Sequence, residues 1–233
     1  MINRTMMAIG AALAAASVLF AQGAQAGLPE AADAYNRGDY KTAFRELSPI
    51  AAKGDAGAQY NVGLMYEFGQ GVAQDYKAAA EWYAKAAAQG NPHAQISLGL
   101  MYENGQGVGK DEKVAVAWYR KAAEQGIANA QYNLAVKLAQ GKGVFQDLKA
   151  AIDWYQKAAE QGFAAAQGNL GLMYAQGRGV SVDLVEAYMW FILAAESKDE
   201  TVLENIEAMQ KALTPEQMVQ ARVRAKVWRE THK

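Results

Sequence analysis

The chain has no cysteine, four prolines and two histidines among its 233 residues. Without cysteine there is no disulfide, thiolate metal site, thiol nucleophile or lipid-modified cysteine, so the chain must hold itself together by packing alone. His93 and His232 lie far apart, and each reads as a lone surface side chain rather than a ligand or a base. Charge of one sign is missing as well: 23 Lys and Arg against 24 Asp and Glu leave a formal charge of -1. That gives no electrostatic reason to expect nucleic acid or an anionic membrane as partner. What the chain does have is alanine, leucine, glycine and aromatics, a composition for helices joined by glycine turns.

The first 26 residues read differently from the rest. Asn3 and Arg4 make a short basic start, residues 6–20 are uncharged and apolar, and Ala24-Gln25-Ala26 is a small-x-small cleavage site. Together they predict a secretory signal peptide over 1–26, cut before Gly27. Loss of Arg4, the only charge in that stretch, takes the chain from -1 to -2. No later segment is apolar for long enough to cross a membrane, so no stable membrane insertion is expected after cleavage.

A shift of 36 residues superposes the chain on itself over 56–91, 92–127, 128–163 and 164–199 without insertion or deletion. Trp82, Trp118, Trp154 and Trp190 fall in one column, followed by Tyr83, Tyr119, Tyr155 and Phe191. Gln59, Gln95, Gln131 and Gln167 form another column. Glycine pairs at 69/71, 105/107, 141/143 and 177/179 each precede a valine and then an aspartate. Every repeat reads as two helices. Ala58, Val62, Met65 and Tyr66 share one face of the first helix, with Gly63, Gly99 and Gly171 beside it where a neighbour approaches closely. The glycine turn ends that helix, and Asp75, Asp111, Asp147 and Asp183 are placed to cap the second. The tryptophan column is expected in the core.

Residues 27–55 look like a shortened repeat, and 200–213 with 215–230 like two further helices that cap the array. Met189, Ile192 and Leu193 are apolar where earlier repeats are polar or small, which marks the face those helices cover.

The pattern Ala-x-x-Leu-Gly-x-x-Tyr-x-x-Gly-x-Gly-Val, then Asp-x-x-x-Ala-x-x-Trp-Tyr-x-Lys-Ala-Ala-x-x-Gly, resembles the Sel-1-like repeat family, which is related to tetratricopeptide repeats. The resemblance covers 56–199 fully and 27–55 more weakly. It implies an all-α fold, a right-handed α-solenoid of helix-turn-helix repeats with C-terminal capping helices over 200–233, that scaffolds protein complexes. This chain departs from the pattern at Ala135, Lys137 and Leu138 in the third repeat, and at Ser197-Lys198 in the fourth. Some exported members carry cysteine pairs within each repeat, so nothing tied to that subclass transfers here.

No catalytic residue, metal ligand or cofactor site is expected. The turn from Gly105 to Lys110 mimics a phosphate loop, but it lacks the preceding strand and the Gly-Lys-Ser/Thr ending. By analogy to the family, the arc opposite the buried face of each first helix lines a concave groove. The column Leu64, Leu100, Val136, Leu172 hardly changes between repeats and reads as structural support. Its variable neighbours are the candidate partner contacts: Tyr60, Ile96 and Tyr132; Glu67 and Glu103; Phe68, Asn104, Gln140 and Gln176. Tyr60 and Phe68 suit aromatic anchors, and Glu67 and Glu103 a basic segment. The reading is a non-enzymatic extracytoplasmic scaffold or adaptor, periplasmic or secreted, with a protein or peptide ligand in the groove and a role in a cell-envelope complex. A secreted cell-contact factor and a cell-wall-directed hydrolase are the alternatives.

Overall fold

The computed structural model describes residues 28–232; the leader expected at 1–26 lies outside them. Among the described residues there are twelve α-helices, one 3-10 turn and no strand. They fall into two compact units, divided between Asp111 and Glu112. The N-terminal unit holds α1 (Leu28–Asn36), α2 (Tyr40–Ala52), α3 (Ala56–Phe68), α4 (Tyr76–Ala88) and α5 (Pro92–Asn104). The C-terminal unit holds α6 (Glu112–Glu124), α7 (Ala128–Gln140), α8 (Leu148–Glu160), α9 (Ala164–Gln176), α10 (Leu184–Ala194), α11 (Glu200–Ala212) and α12 (Pro215–Thr231). From α1 to α5 and from α6 to α10 successive helices pack on one another, and α11 and α12 both close on α10. No described helix is long and apolar enough to cross a membrane.

The local chemistry explains where each helix begins and ends. Asp75, Asp147 and Asp183 accept hydrogen bonds from free backbone N–H groups at the starts of α4, α8 and α10. Asp55 and Asn91 do the same for α3 and α5, whereas α7 and α9 begin without a side-chain cap. The first glycine of each turn, at 69, 105, 141 and 177, is the left-handed C-cap. The second glycine has another task. A Cβ at Gly71 would lie 2.1 Å from the carbonyl oxygen of Tyr40, and one at Gly107 would lie 2.1 Å from that of Tyr76. Each turn therefore rests on the start of the preceding repeat's second helix, and only glycine permits the contact.

The aromatic pair divides its labour differently from the sequence expectation. Tyr83, Tyr119 and Phe191 are fully buried and Tyr155 nearly so, while Trp82, Trp118 and Trp154 are only half-buried. The ammonium groups of Lys85, Lys121 and Lys157 lie over those three indoles at 3.9–4.2 Å. The glycine column serves the ring in the inner column: a Cβ at Gly63 would meet Tyr83 ring carbons at 2.6 Å, and one at Gly171 would meet Phe191 at 2.6 Å. Only Trp190 is buried, at 5% exposure, under α12.

The glutamine column is a buried polar ladder. Nε2 of Gln59, Gln95, Gln131 and Gln167 donates to the carbonyls of Ala51, Ala87, Ala123 and Ala159 at 3.2–3.3 Å, tying each first helix to the end of the helix before it. Lys137, which stands where the other repeats have methionine, is buried and paired with Glu112 at 2.7 Å.

The C-terminal cover lies where the apolar switch predicts. Met189 and Leu193 are each 5% exposed, and Ile192 is half-buried. α12 presents Ala221 and Ala225 to this face, sets Trp228 edge-on to Trp190 at 6.0 Å, and pairs Arg224 with Glu186 at 2.9 Å. A full capping box at Thr214 and Gln217 starts it. Trp190 Nε1 has no hydrogen-bond acceptor under this cover.

Candidate partner-binding surface

α3 is buried on almost every side: Ala58, Gln59, Asn61, Val62, Gly63, Leu64 and Met65 all lose contact with water. The arc that remains is narrower than a helical wheel suggests, and it is built around Tyr60 and Glu67. These two stand seven residues apart, two turns along one face of α3. Both are half-buried. The Tyr60 ring lies 5.6 Å from that of Tyr83 and 5.9 Å from that of His93. Tyr83, rising from α4, donates its phenol O–H to Glu67 Oε2 at 2.5 Å. Ser97 on α5 lies near the phenols of both Tyr60 and Tyr83.

Burial governs the electrostatics of this cluster. It pushes the Tyr60 phenol up to about 12, with the neighbouring Ser97 opposing. Burial also raises Glu67 above the ordinary carboxyl range, and the bond from Tyr83 only partly offsets it. The Tyr83 phenol is raised well above its ordinary value by burial and by the neighbouring Glu67. Desolvation lowers His93.

Around this cluster the expected contacts divide. Phe68 is 38% exposed and Asn104 is exposed, while Glu103 is half-buried. Ile96, expected on the groove, is 6% exposed and belongs to the core, because α5 is packed on that flank too. Leu100, expected to be structural support, is instead 42% exposed, while its counterpart Leu64 is buried. The unchanging column is thus not one structural class.

In the C-terminal unit the same positions lose their charge. Tyr132 is half-buried, with its ring 5.9 Å from that of Tyr155 and 5.2 Å from that of Phe163. Ala139 and Ala175 occupy the column of Glu67, and Gln140 and Gln176 are exposed. The columns do not change in step: Glu67 goes with Tyr83 and Ala175 with Phe191, which has no phenol to satisfy, but Ala139 goes with Tyr155. Asn61 supplies the converse case. Its buried Oδ1 has no donor, and the shortened first pair has Leu47 where later repeats have an aromatic ring.

Two clefts, of about 500 and 450 Å³, flank Trp228, whose indole stacks on His232 at 4.4 Å. Glu160 borders both, and in the second the Thr231 hydroxyl lies 2.9 Å from Nδ1 of His232, both residues exposed at the end of α12. Among the described residues no group of three His, Asp or Glu converges to hold a metal ion.

Tandem helix pairs closed by glycine turns, with a terminal helical cover, define an α-solenoid repeat protein. The Sel1 repeat model matches residues 56–91, 92–127, 128–163 and 164–199. The chain belongs to the Sel1 repeat family, whose members are generally protein-interaction scaffolds and typically non-catalytic. It is 37% identical to a Sel1 repeat protein from Oxalobacter formigenes, with a TM-score of 0.72 over 76% of this chain and 73% of that one. It is 34% identical to a protective antigen present in uropathogenic Escherichia coli strains that displays an SLR fold, with a TM-score of 0.56 over 86% of this chain. The match spans about half of that antigen, 52% of its length. No curated protein matches the sequence.

Proposed function

We propose that this protein is a non-enzymatic, extracytoplasmic scaffold that holds a protein segment of a cell-envelope complex on the surface of its first helices. The observation that carries the reading is the contrast within the N-terminal unit. Tyr83 and Val62 are fully buried there, yet Phe68 and Leu100 keep 38% and 42% of their surface in water. Exposed apolar side chains ringed by polar ones are the usual makings of an interface centre. The scaffold character of the family supports the class of function, and the leader read over 1–26 supports export to the periplasm.

A photo-crosslinking residue at position 68 in living cells tests this. It should trap a discrete partner in the periplasmic fraction, and the same residue at position 156, on a second helix, should not. Tyr60→Ala combined with Phe68→Ala should weaken that partner at least tenfold while the melting temperature stays within the range of a folded chain. Equal trapping from both positions would sink the proposal.

A second reading, a secreted factor that contacts another cell, draws on the likeness to the uropathogen antigen. Recovery of the mature chain from the medium rather than the periplasm would favour it.

A further inference from the structure

The N-terminal unit contains a half-buried carboxylate that lacks a counter-charge. Glu67 sits beside Tyr60 and Tyr83, and its one side-chain donor among the described residues is the neutral Tyr83 phenol. No described lysine or arginine is paired with it. The protein solves the same problem differently elsewhere: buried Lys137 is matched by Glu112 at 2.7 Å. A carboxylate taken from water needs an opposite charge or several donors. Here it has one bond to one oxygen.

The simplest account is that Glu67 is present to satisfy Tyr83. The columns give that account some support, since Phe191 goes with Ala175. Tyr155 counts against it: this residue keeps its phenol opposite Ala139, so the repeat does not need a carboxylate to hold a tyrosine. A neutral acceptor such as glutamine would serve Tyr83 as well, without the desolvation of a charge. The charge therefore has a separate use. Glu67 is half-buried, two turns from Tyr60 on one face of α3 and next in sequence to the exposed Phe68. A carboxylate beside aromatic rings is the arrangement that favours a cationic group on an alkyl stem, which gains both the charge pair and contact with the rings.

We infer that Glu67, with Tyr60 and Phe68, forms a pocket for a lysine or arginine side chain of the bound protein segment. This rests on the scaffold reading above and assigns its partner a basic anchor at the N-terminal unit. The C-terminal unit, with Ala139 and Ala175 in the Glu67 column, makes no such demand.

The test uses n-butylammonium, which copies the end of a lysine side chain, and n-butanol, its neutral counterpart, titrated into the full mature chain and followed by NMR. Butylammonium should shift the amide signals of Glu67, Tyr83 and Ser97 in a saturable way and lower the Glu67 carboxyl pKa, read from its carbon shift. Butanol should require at least tenfold higher concentration. Glu67→Gln, which keeps an acceptor for Tyr83, should abolish the difference between the two probes. Equal responses to both, or no response to either, overturn the cation pocket. Trapping from position 68 in cells is independent of these probes, so the scaffold reading stands or falls separately.

Discussion

Lys137 Nζ lies 2.7 Å from a carboxylate oxygen of Glu112, with the lysine side chain 4% exposed and the glutamate 28%. Breaking such a pair leaves a buried charge without compensation, which costs about 3 kcal/mol or more. Glu112→Gln should therefore destabilise by about that amount in urea unfolding. Lys137→Met with Glu112→Leu restores residues that other repeats carry in these columns, and should be neutral or stabilising. A large loss in the double variant would show that the pair adds more than it costs.

Left-handed positions offer a test in both directions. Gly90 and Lys198 occupy the same column of the first and fourth repeats, with φ of +90° and +56°. A side chain in this conformation costs about 1–2 kcal/mol. Gly90→Ala, which has open space around its new Cβ, should lose about 1 kcal/mol, and Lys198→Gly should gain up to about that much. Gly71→Ala should cost clearly more than Gly90→Ala, because its Cβ would run into the Tyr40 carbonyl. Melting temperatures of the three variants would settle the order.

Truncating Trp190, at 5% exposure, to alanine should cost about 3–5 kcal/mol. Trp82 is half-buried and open to Lys85, so Trp82→Ala should cost less than half of that. Equal losses would mean that the indole column is core throughout.

Glu67 also predicts a pH dependence. Its carboxyl is held above the ordinary value of 4.5 by burial, so the folded chain binds that proton more tightly than the unfolded chain. The stability this brings is complete below 4.5 and is lost as pH rises through the higher folded value. The stability of the parent chain relative to Glu67→Gln should therefore decline from about pH 4.5 upward and then level off. His93 is shifted down and contributes in the opposite direction below its ordinary value of 6.5, but it is common to both proteins and cancels in the difference. Tyr60 and Tyr83, the other titratable groups of the cluster, stay protonated throughout. A difference that does not vary with pH would contradict the burial of this carboxyl.

Much of this was legible in the sequence because stacking repeats the same local solution four times. Helix starts at Asp75, Asp147 and Asp183 follow from their spacing alone, and so does the covered face at Met189 and Leu193. The choice between adjacent aromatics was not legible from periodicity, since Trp82 and Tyr83 stand only 100° apart on a helix. A usable signal lay in the paired columns, where the ring opposite a glycine stays purely aromatic and becomes phenylalanine in the last repeat. The arc around Tyr60 was harder. A wheel drawn for one helix cannot show that α3 is enclosed by three neighbours, nor that Leu64 and Leu100 meet different surroundings.

The glutamine ladder and the second glycine of each turn bear on how such a gene can change in length. Gln95 donates to Ala87, and Gly107 rests on Tyr76, so these joints recognise the pair immediately before. Tandem duplication of an interior 36-residue segment reproduces both joints intact, and copy number there is free to drift under selection for reach. The last segment is under a different constraint. A second copy of 164–199 would leave one set of Met189, Trp190 and Leu193 facing a repeat instead of α12, and the chain would gain a sticky seam in its middle. Growth of the array is thus channelled inward from its final repeat, and the terminal helices act as a fixed stop in its evolution.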